Sequence, residues 1–311
     1  MHDEGGSVDV EAADPGVHRI ALIITEYEAD NVYNMDETGL FFKCLPNRSY
    51  VEKKDKGTIR GSKLMKAKDS VTVYVCTNAT GTDLVPLSII GKSANPHCFK
   101  NHSKRLQYYN QRKAWSDGAT FKKWWNHFLI HIRKITNKPV LLILDNCGPH
   151  GCDTIDPMEQ VRIEFLPPNC TAMFQPMDAG VIAMIKKNYR YKLLRRMCVI
   201  FEERIARRDA ANKSKMVAGT KGLKEGHPPH FRDVMDILYE VWEEVSPEKL
   251  KKCWVKSQLI HFSNEHDNEP ADVAPTSDDE EVENNEMEDL IEIASHLNVN
   301  TLAPERTEPE K

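Results

Sequence analysis

Asp36, Asp145 and Asp178 are the residues whose types and placement could do chemistry. Val140-Leu141-Leu142-Ile143-Leu144 is an unbroken apolar run that ends in Asp145-Asn146 before Gly148-Pro149. Such a run between breakers reads as a strand buried on both faces. A carboxylate buried there is costly unless paired or bound to a metal, which places Asp145 at the strand's open end. Asp36 closes an earlier strand-like stretch, Asn31 to Gly39, and Asp178 follows Pro176 at the start of a helical pattern 33 residues after Asp145. Ligands of open α/β sheets gather at strand ends and helix starts, so the three acids could converge. Oxygen ligands without a nearby His or Cys partner suit Mg²⁺ or Mn²⁺ rather than zinc. Two such ions about 3.5–4 Å apart would activate a water and stabilise the leaving oxygen of a phosphodiester. Plainer readings stand beside this one. Asp178 also suits a helix N-terminus, and Asp36 and Asp145 also suit turns.

The elements around these acids alternate between strand and helix. A second strand, Leu40 to Leu45, would pair with the first as a hairpin across Gly39. Val71 to Cys76 and Leu84 to Ile90 read as further strands, with Pro86 marking an edge or bulge. Residues 91 to 118 show no clear period. Phe121, Trp124 or Trp125, Phe128 and Ile132 fall on one helical face. Val161 to Leu166 is a strand stopped by Pro167-Pro168, and a long helix runs from Pro176 to about Arg207. Phe231 to Val245 and a helix capped by Ser246, with Pro247 at its first position, follow. The expected class is α/β, a mixed sheet with flanking helices.

Composition narrows the possible functions. At 311 residues, 40% hydrophobic and 29% charged, the chain is long enough for one large core with appendages. No apolar run approaches the ~20 residues of a membrane span. Eight cysteines without regular spacing fit reduced thiols. The net charge of −5 hides an asymmetry. From Glu265 onward, 16 acidic residues face only Arg306 and Lys311, a net of −14, which leaves +9 on the remainder. A basic body with an acidic tail suits a nucleic-acid binder, and equally an ordinary domain with a solvated end.

Four stretches then point to a family. NMDETGLFF, VTVYVCTNATGTDLVPLSIIGKSANPHCFK, LLILDNCGPH and LPPNCTAMFQPMDAGVI, in order from about residue 30 to 200, resemble the DDE superfamily endonuclease domain of pogo- and Tigger-type transposases. Jerky proteins and centromere protein B are domesticated relatives. The resemblance implies an RNase H-like fold and a catalytic, metal-holding triad in the "MDE", "LDN" and "QP-x-D" motifs. Those motifs fall here on Asp36, Asp145 and Asp178. It also implies a two-metal Mg²⁺ or Mn²⁺ site, DNA as partner, strand transfer by a freed 3′-hydroxyl, no membrane association and a nuclear location, and it is compatible with a homodimer. Full-length relatives carry helix-turn-helix targeting domains ahead of the catalytic one, and this chain begins almost at the first catalytic strand. A domesticated, non-catalytic nucleic-acid-binding protein is therefore the alternative. Ala179 stands where a Gln is common in the family.

The domain reading is residues 1–17 disordered, 18–207 the RNase H-like catalytic domain, 208–229 a linker, 230–262 a helical region and 263–311 an acidic disordered tail, with at most a short helix near residues 286–297. Lys63, Lys66 and Lys68 of a basic loop, Asn146 and His150 after the Asp145 strand, and Lys186, Lys187 and Arg190 of the following helix are candidate phosphate contacts. Each is also readable as a solvated surface or a turn. Cys147-x-x-His150-x-Cys152 has a weak zinc-like spacing, and a structural role suits it better. Glu37, adjacent to Asp36, would point to the opposite face of a strand.

Overall fold

The computed structural model describes residues 15–42, 70–100, 105–151, 156–168, 174–196, 199, 231–260 and 262. Its centre is a six-stranded mixed sheet. The strands are β1 (Val32–Phe41), β2 (Ser70–Asn78), β3 (Ser88–Gly91), β4 (Gln107–Asn110), β5 (Val140–Leu144) and β6 (Val161–Phe165), in the spatial order β4-β3-β2-β1-β5-β6. β1, β2 and β3 form an antiparallel meander. β5 joins the other side of β1 in parallel, and β6 then joins β5 in parallel. An antiparallel meander continued by parallel strands beside its first member is the RNase H-like arrangement.

Side-chain alternation along β1 sends successive residues to opposite faces. Tyr33 and Met35 face α2 (Gly118–Ile135) and pack with Phe121, Trp124, Trp125, Phe128 and Ile132. Both tryptophans are core. Asp117 and Thr120 close a reciprocal capping box that fixes where α2 begins. On the other face Val32 packs with α1 (Pro15–Ile24) and Trp254, whereas Leu40 packs with residues 182–196 and 231–245. The helix over 182–196 is α3; Phe231–Glu243 is α4 and Pro247–Lys256 is α5. α4 and α5 thus share the sheet's own core. Among the described residues no helix is long and apolar enough to cross a membrane.

Four expectations change. β1 does not fold back at Gly39 but continues to Phe41, pairing residue by residue with β2. Gly39 sits opposite Thr72, where the strand needs no turn. α1 starts at Pro15, inside the stretch expected to be disordered, because Val17 and Ile20 are buried against the sheet. The region without a period contains β4, a four-residue strand parallel to β3. The third strand begins only at Ser88, after Pro86, with Leu84 making an isolated bridge to Thr77. Lys63, Lys66, Lys68, Cys152, the linker and the acidic tail lie outside the described residues.

Candidate active site

Strand register brings the acids together. Asn34 of β1 pairs with Ile143 of β5, the last pair of that register, so Asp36 lies two residues further along β1 and Asp145 two residues beyond Ile143, just past the end of β5. The third acid arrives on a wide turn. Residues Met177–Val181 form a π-helical turn in which the Ile182 N–H donates to the Met177 carbonyl, five residues back, before α3 continues. Asp178 lies in the first part of this turn, close enough to Asp36 for each carboxyl to shift the other's pKa. Single-turn π segments often sit at functional sites.

Asn34 aligns these three segments. Its side chain is fully buried, its amide N–H donates to the Ile143 carbonyl at 3.0 Å, and its Oδ1 accepts the Met177 N–H at 3.0 Å. One amide thereby joins the strand of Asp36 to the strand of Asp145 and to the turn of Asp178. Sequence reasoning missed this residue. The available signal was a polar side chain on a strand face that is apolar at Val32 and Leu40 and carries Asp36.

The electrostatics are those of crowded carboxylates. Asp36 is 8% exposed. Burial, then the charges of Asp178, Glu37 and Asp145, push its pKa up to about 8, although Oδ1 accepts the Glu37 N–H at 2.7 Å. Asp178 reaches solvent, yet desolvation on its inner side and the Asp145 charge hold it above the usual carboxylate range. Lys186 of α3 faces the same group. Its pKa is lowered by burial and by Arg190, while Asp178 and Asp36 act in the opposite direction.

On the α2 side, His150 links two acids. It is 0% exposed; Nε2 lies 2.9 and 3.0 Å from the Glu37 carboxylate oxygens, and Nδ1 lies 2.6 Å from Asp145 Oδ1. Burial opposes charge on the ring, but its contacts with Asp145, Cys147 and Glu37 outweigh it and hold the pKa far above the ordinary imidazole value, up to about 12. The same contact lowers the pKa of Asp145 against its own partial burial. A ring this buried does not reach a phosphate. The expected nucleic-acid contact at His150 is instead a brace that orients Asp145, with Glu37 behind it. Asn146 and Arg190 are exposed and Lys187 is half-exposed.

Among the described residues one group of side chains brings metal-ligand atoms together. Glu37, Asp145, Cys147 and His150 bring ligand-type atoms within 4.8 Å of one another. There both imidazole nitrogens already face carboxylates and burial keeps Cys147 a thiol, so that cluster is complete as a hydrogen-bonded unit. Asp36, Asp145 and Asp178 offer oxygen donors alone, the type a hard divalent ion takes. Asp36 keeps a raised pKa among its acidic neighbours, and the contact of Asp145 Oδ1 with His150 is close but poorly directed, leaving that buried oxygen without an aligned hydrogen-bond donor.

Known proteins resemble this chain. The model of the DDE superfamily endonuclease family matches residues 68–254, which include Asp145 and Asp178, with Asp36 ahead of the interval. Human Tigger transposable element-derived protein 7 is 29% identical over 78% of this chain and 45% of its own length. Mouse Tigger transposable element-derived protein 4 is 28% identical over 82% of this chain and 45% of its own, and human Jerky protein homolog 32% over 60% and 34%. The chain therefore spans less than half the length of these relatives. Among solved structures, the Mos1 transposase paired-end complex with left transposon end is 13% identical over 83% of this chain and 66% of that one. Its TM-score of 0.37 is too low to bear on the site. With the family model matching more than half of its length, this chain belongs to the DDE superfamily endonuclease family.

Proposed function

We propose that the chain is the catalytic domain of a transposon-derived, metal-dependent DNA endonuclease of the pogo/Tigger type, with Asp36, Asp145 and Asp178 as its catalytic and metal-holding triad. The observation that supports this reading is that Asp36, midway along β1, feels the charges of both Asp178 and Asp145, while one buried amide ties β1 to β5 and to the turn of Asp178. Bound there, a pair of Mg²⁺ or Mn²⁺ ions would lower the pKa of a water and stabilise the leaving 3′-oxygen of a cleaved phosphodiester. The chain supplies the rest. Asp36 and Asp145 stand on strands fixed by main-chain pairing, His150 orients Asp145, and Lys186 brings a positive charge to the phosphate side. Asn146, Lys187 and Arg190 lie where a DNA backbone would approach, and Lys63, Lys66 and Lys68 are carried in this proposal from sequence alone.

DNA as partner is supported by relatives whose names describe transposable element-derived and ARS-binding proteins. A nuclear location and a homodimer belong to the same proposal, as does strand transfer by the freed 3′-hydroxyl. Incubation of the protein with supercoiled plasmid at low salt tests it. Nicking in Mg²⁺ or Mn²⁺ that stops with chelator is the expected result. Salt-sensitive DNA binding without nicking in either ion would overturn the catalytic reading in favour of a domesticated binding protein.

A further inference from the structure

The burial pattern of β1 changes at Glu37. Up to Asp36 the strand is covered on both faces; beyond it Thr38 and Leu40 stay buried while Gly39 and Phe41 are exposed. The cover provided by α2 ends near Phe121, whose ring lies 4.5 Å from that of His150. The α2-side face of β1 is therefore open from Gly39 outward, and a Cβ placed on Gly39 would meet no atom within 4 Å.

Two aromatic rings stand at this opening. Phe41 is 55% exposed and Trp115 71% exposed, whereas the other four tryptophans are buried. Trp115 is presented by an anchored loop. Ala114, buried and at φ 55°, donates its N–H to the Gln111 carbonyl at 2.8 Å, and its own carbonyl accepts the Thr72 hydroxyl at 2.7 Å. On the other side Ser116 Oγ and the Tyr74 hydroxyl share a 2.7 Å hydrogen bond, and Asp117 caps α2. Thr72 pairs with Gly39, so the anchor of Trp115 adjoins the open strip. Val75 pairs with Asp36, and Thr72 is three residues away along β2, which is about 10 Å at ~3.4 Å per residue. Arg112 and Lys113, just before Trp115 in the chain, and Lys122 and Lys123, in the first turns of α2, are exposed, and the neighbouring Asp117 carboxylate is engaged in the helix cap.

We propose that Trp115 and Phe41, with Gly39 as the floor between them, form a stacking shelf for an unpaired base of the DNA strand whose phosphate enters the carboxylate site. Rigid, isolated aromatics beside basic side chains match the requirements of single-strand binding: rings take the base faces and cations take the phosphates. An interface with a protein would call for a contiguous apolar patch. Here the floor is glycine and the surroundings are charged. The shelf rests on the nuclease reading given above.

The test uses the full chain, a single-stranded oligodeoxynucleotide and an abasic strand of the same length, compared at each of a series of low salt concentrations. The oligonucleotide should quench the emission of the exposed tryptophan. Trp115→Ala should weaken its binding about tenfold, Trp115→Phe should recover most of that loss, and the abasic strand should bind wild type and Trp115→Ala equally. The slope of affinity against salt should not change, because phosphate contacts remain. Equal affinity of wild type and Trp115→Ala for the base-bearing strand would overturn the shelf while leaving the nuclease reading intact. So would an equal loss on the abasic strand, or a change of oligomeric state in the variant. Failure of wild type to bind DNA at all would overturn both.

Discussion

Asp36→Asn is expected to stabilise the metal-free protein and to lower divalent-metal-dependent nicking by at least about a thousandfold, the several kcal/mol that a correctly held metal supplies to the transition state. The two effects share one cause. Burial and three neighbouring carboxylates raise the Asp36 pKa from 3.8 to about 8, so near neutrality the fold either retains a proton there or bears an unpaired buried charge. For an acid whose folded pKa is raised, the native state binds more protons than the unfolded chain between the two values. Stability then falls as pH rises from about 4 to about 8. Asparagine keeps the acceptor for the Glu37 N–H and has nothing to ionise. Urea unfolding in chelator at both ends of this window should give a stability difference between variant and wild type that grows with pH, reaching a few kcal/mol at the upper end. A variant that is less stable at pH 8, or that still nicks, would contradict the assignment.

Asn34→Leu should cost about a hundredfold in nicking although Asn34 touches neither metal nor DNA. The substitution keeps the branched shape and the number of side-chain heavy atoms, adds some bulk, and removes both hydrogen bonds. It leaves the buried Met177 N–H without a partner, a penalty of about 1–3 kcal/mol, and lets the turn that carries Asp178 move relative to β1 and β5. A displacement of about 1 Å is enough for a loss of that order. Asn34→Asp retains the acceptor for Met177 but sets a carboxylate against the Ile143 carbonyl and adds an acid beside Asp36, so it should do no better. Thermal unfolding measured alongside nicking separates stability from alignment. A folded Asn34→Leu protein with wild-type nicking would show that the amide does not align the site.

The central strand and its acid were legible because physics leaves little choice there. A five-residue apolar run between breakers can only be buried, and the carboxylate that follows must find water, a partner or an ion. The helical face of Phe121, Trp124, Phe128 and Ile132 was legible from its period. Gly39 misled because glycine normally marks a turn, yet here it lies in a paired strand facing open space, a fact set by β2 and α2 rather than by its neighbours. β4 was hidden because four residues with one fully buried side chain carry no measurable period. Asn34 and the Glu37–His150–Asp145 bridge were illegible for another reason. Their partners lie more than a hundred residues away, and only the register of β1 with β5 brings them within reach.

The most direct measurement of the central claim is Mn²⁺ binding followed by electron paramagnetic resonance for wild type and Asp145→Ala. Three converging carboxylates predict two bound ions per chain in the wild type, with binding lost or reduced to one weak ion in the variant. Equal Mn²⁺ binding by the two proteins, or none by either, would show that Asp36, Asp145 and Asp178 do not form a metal site.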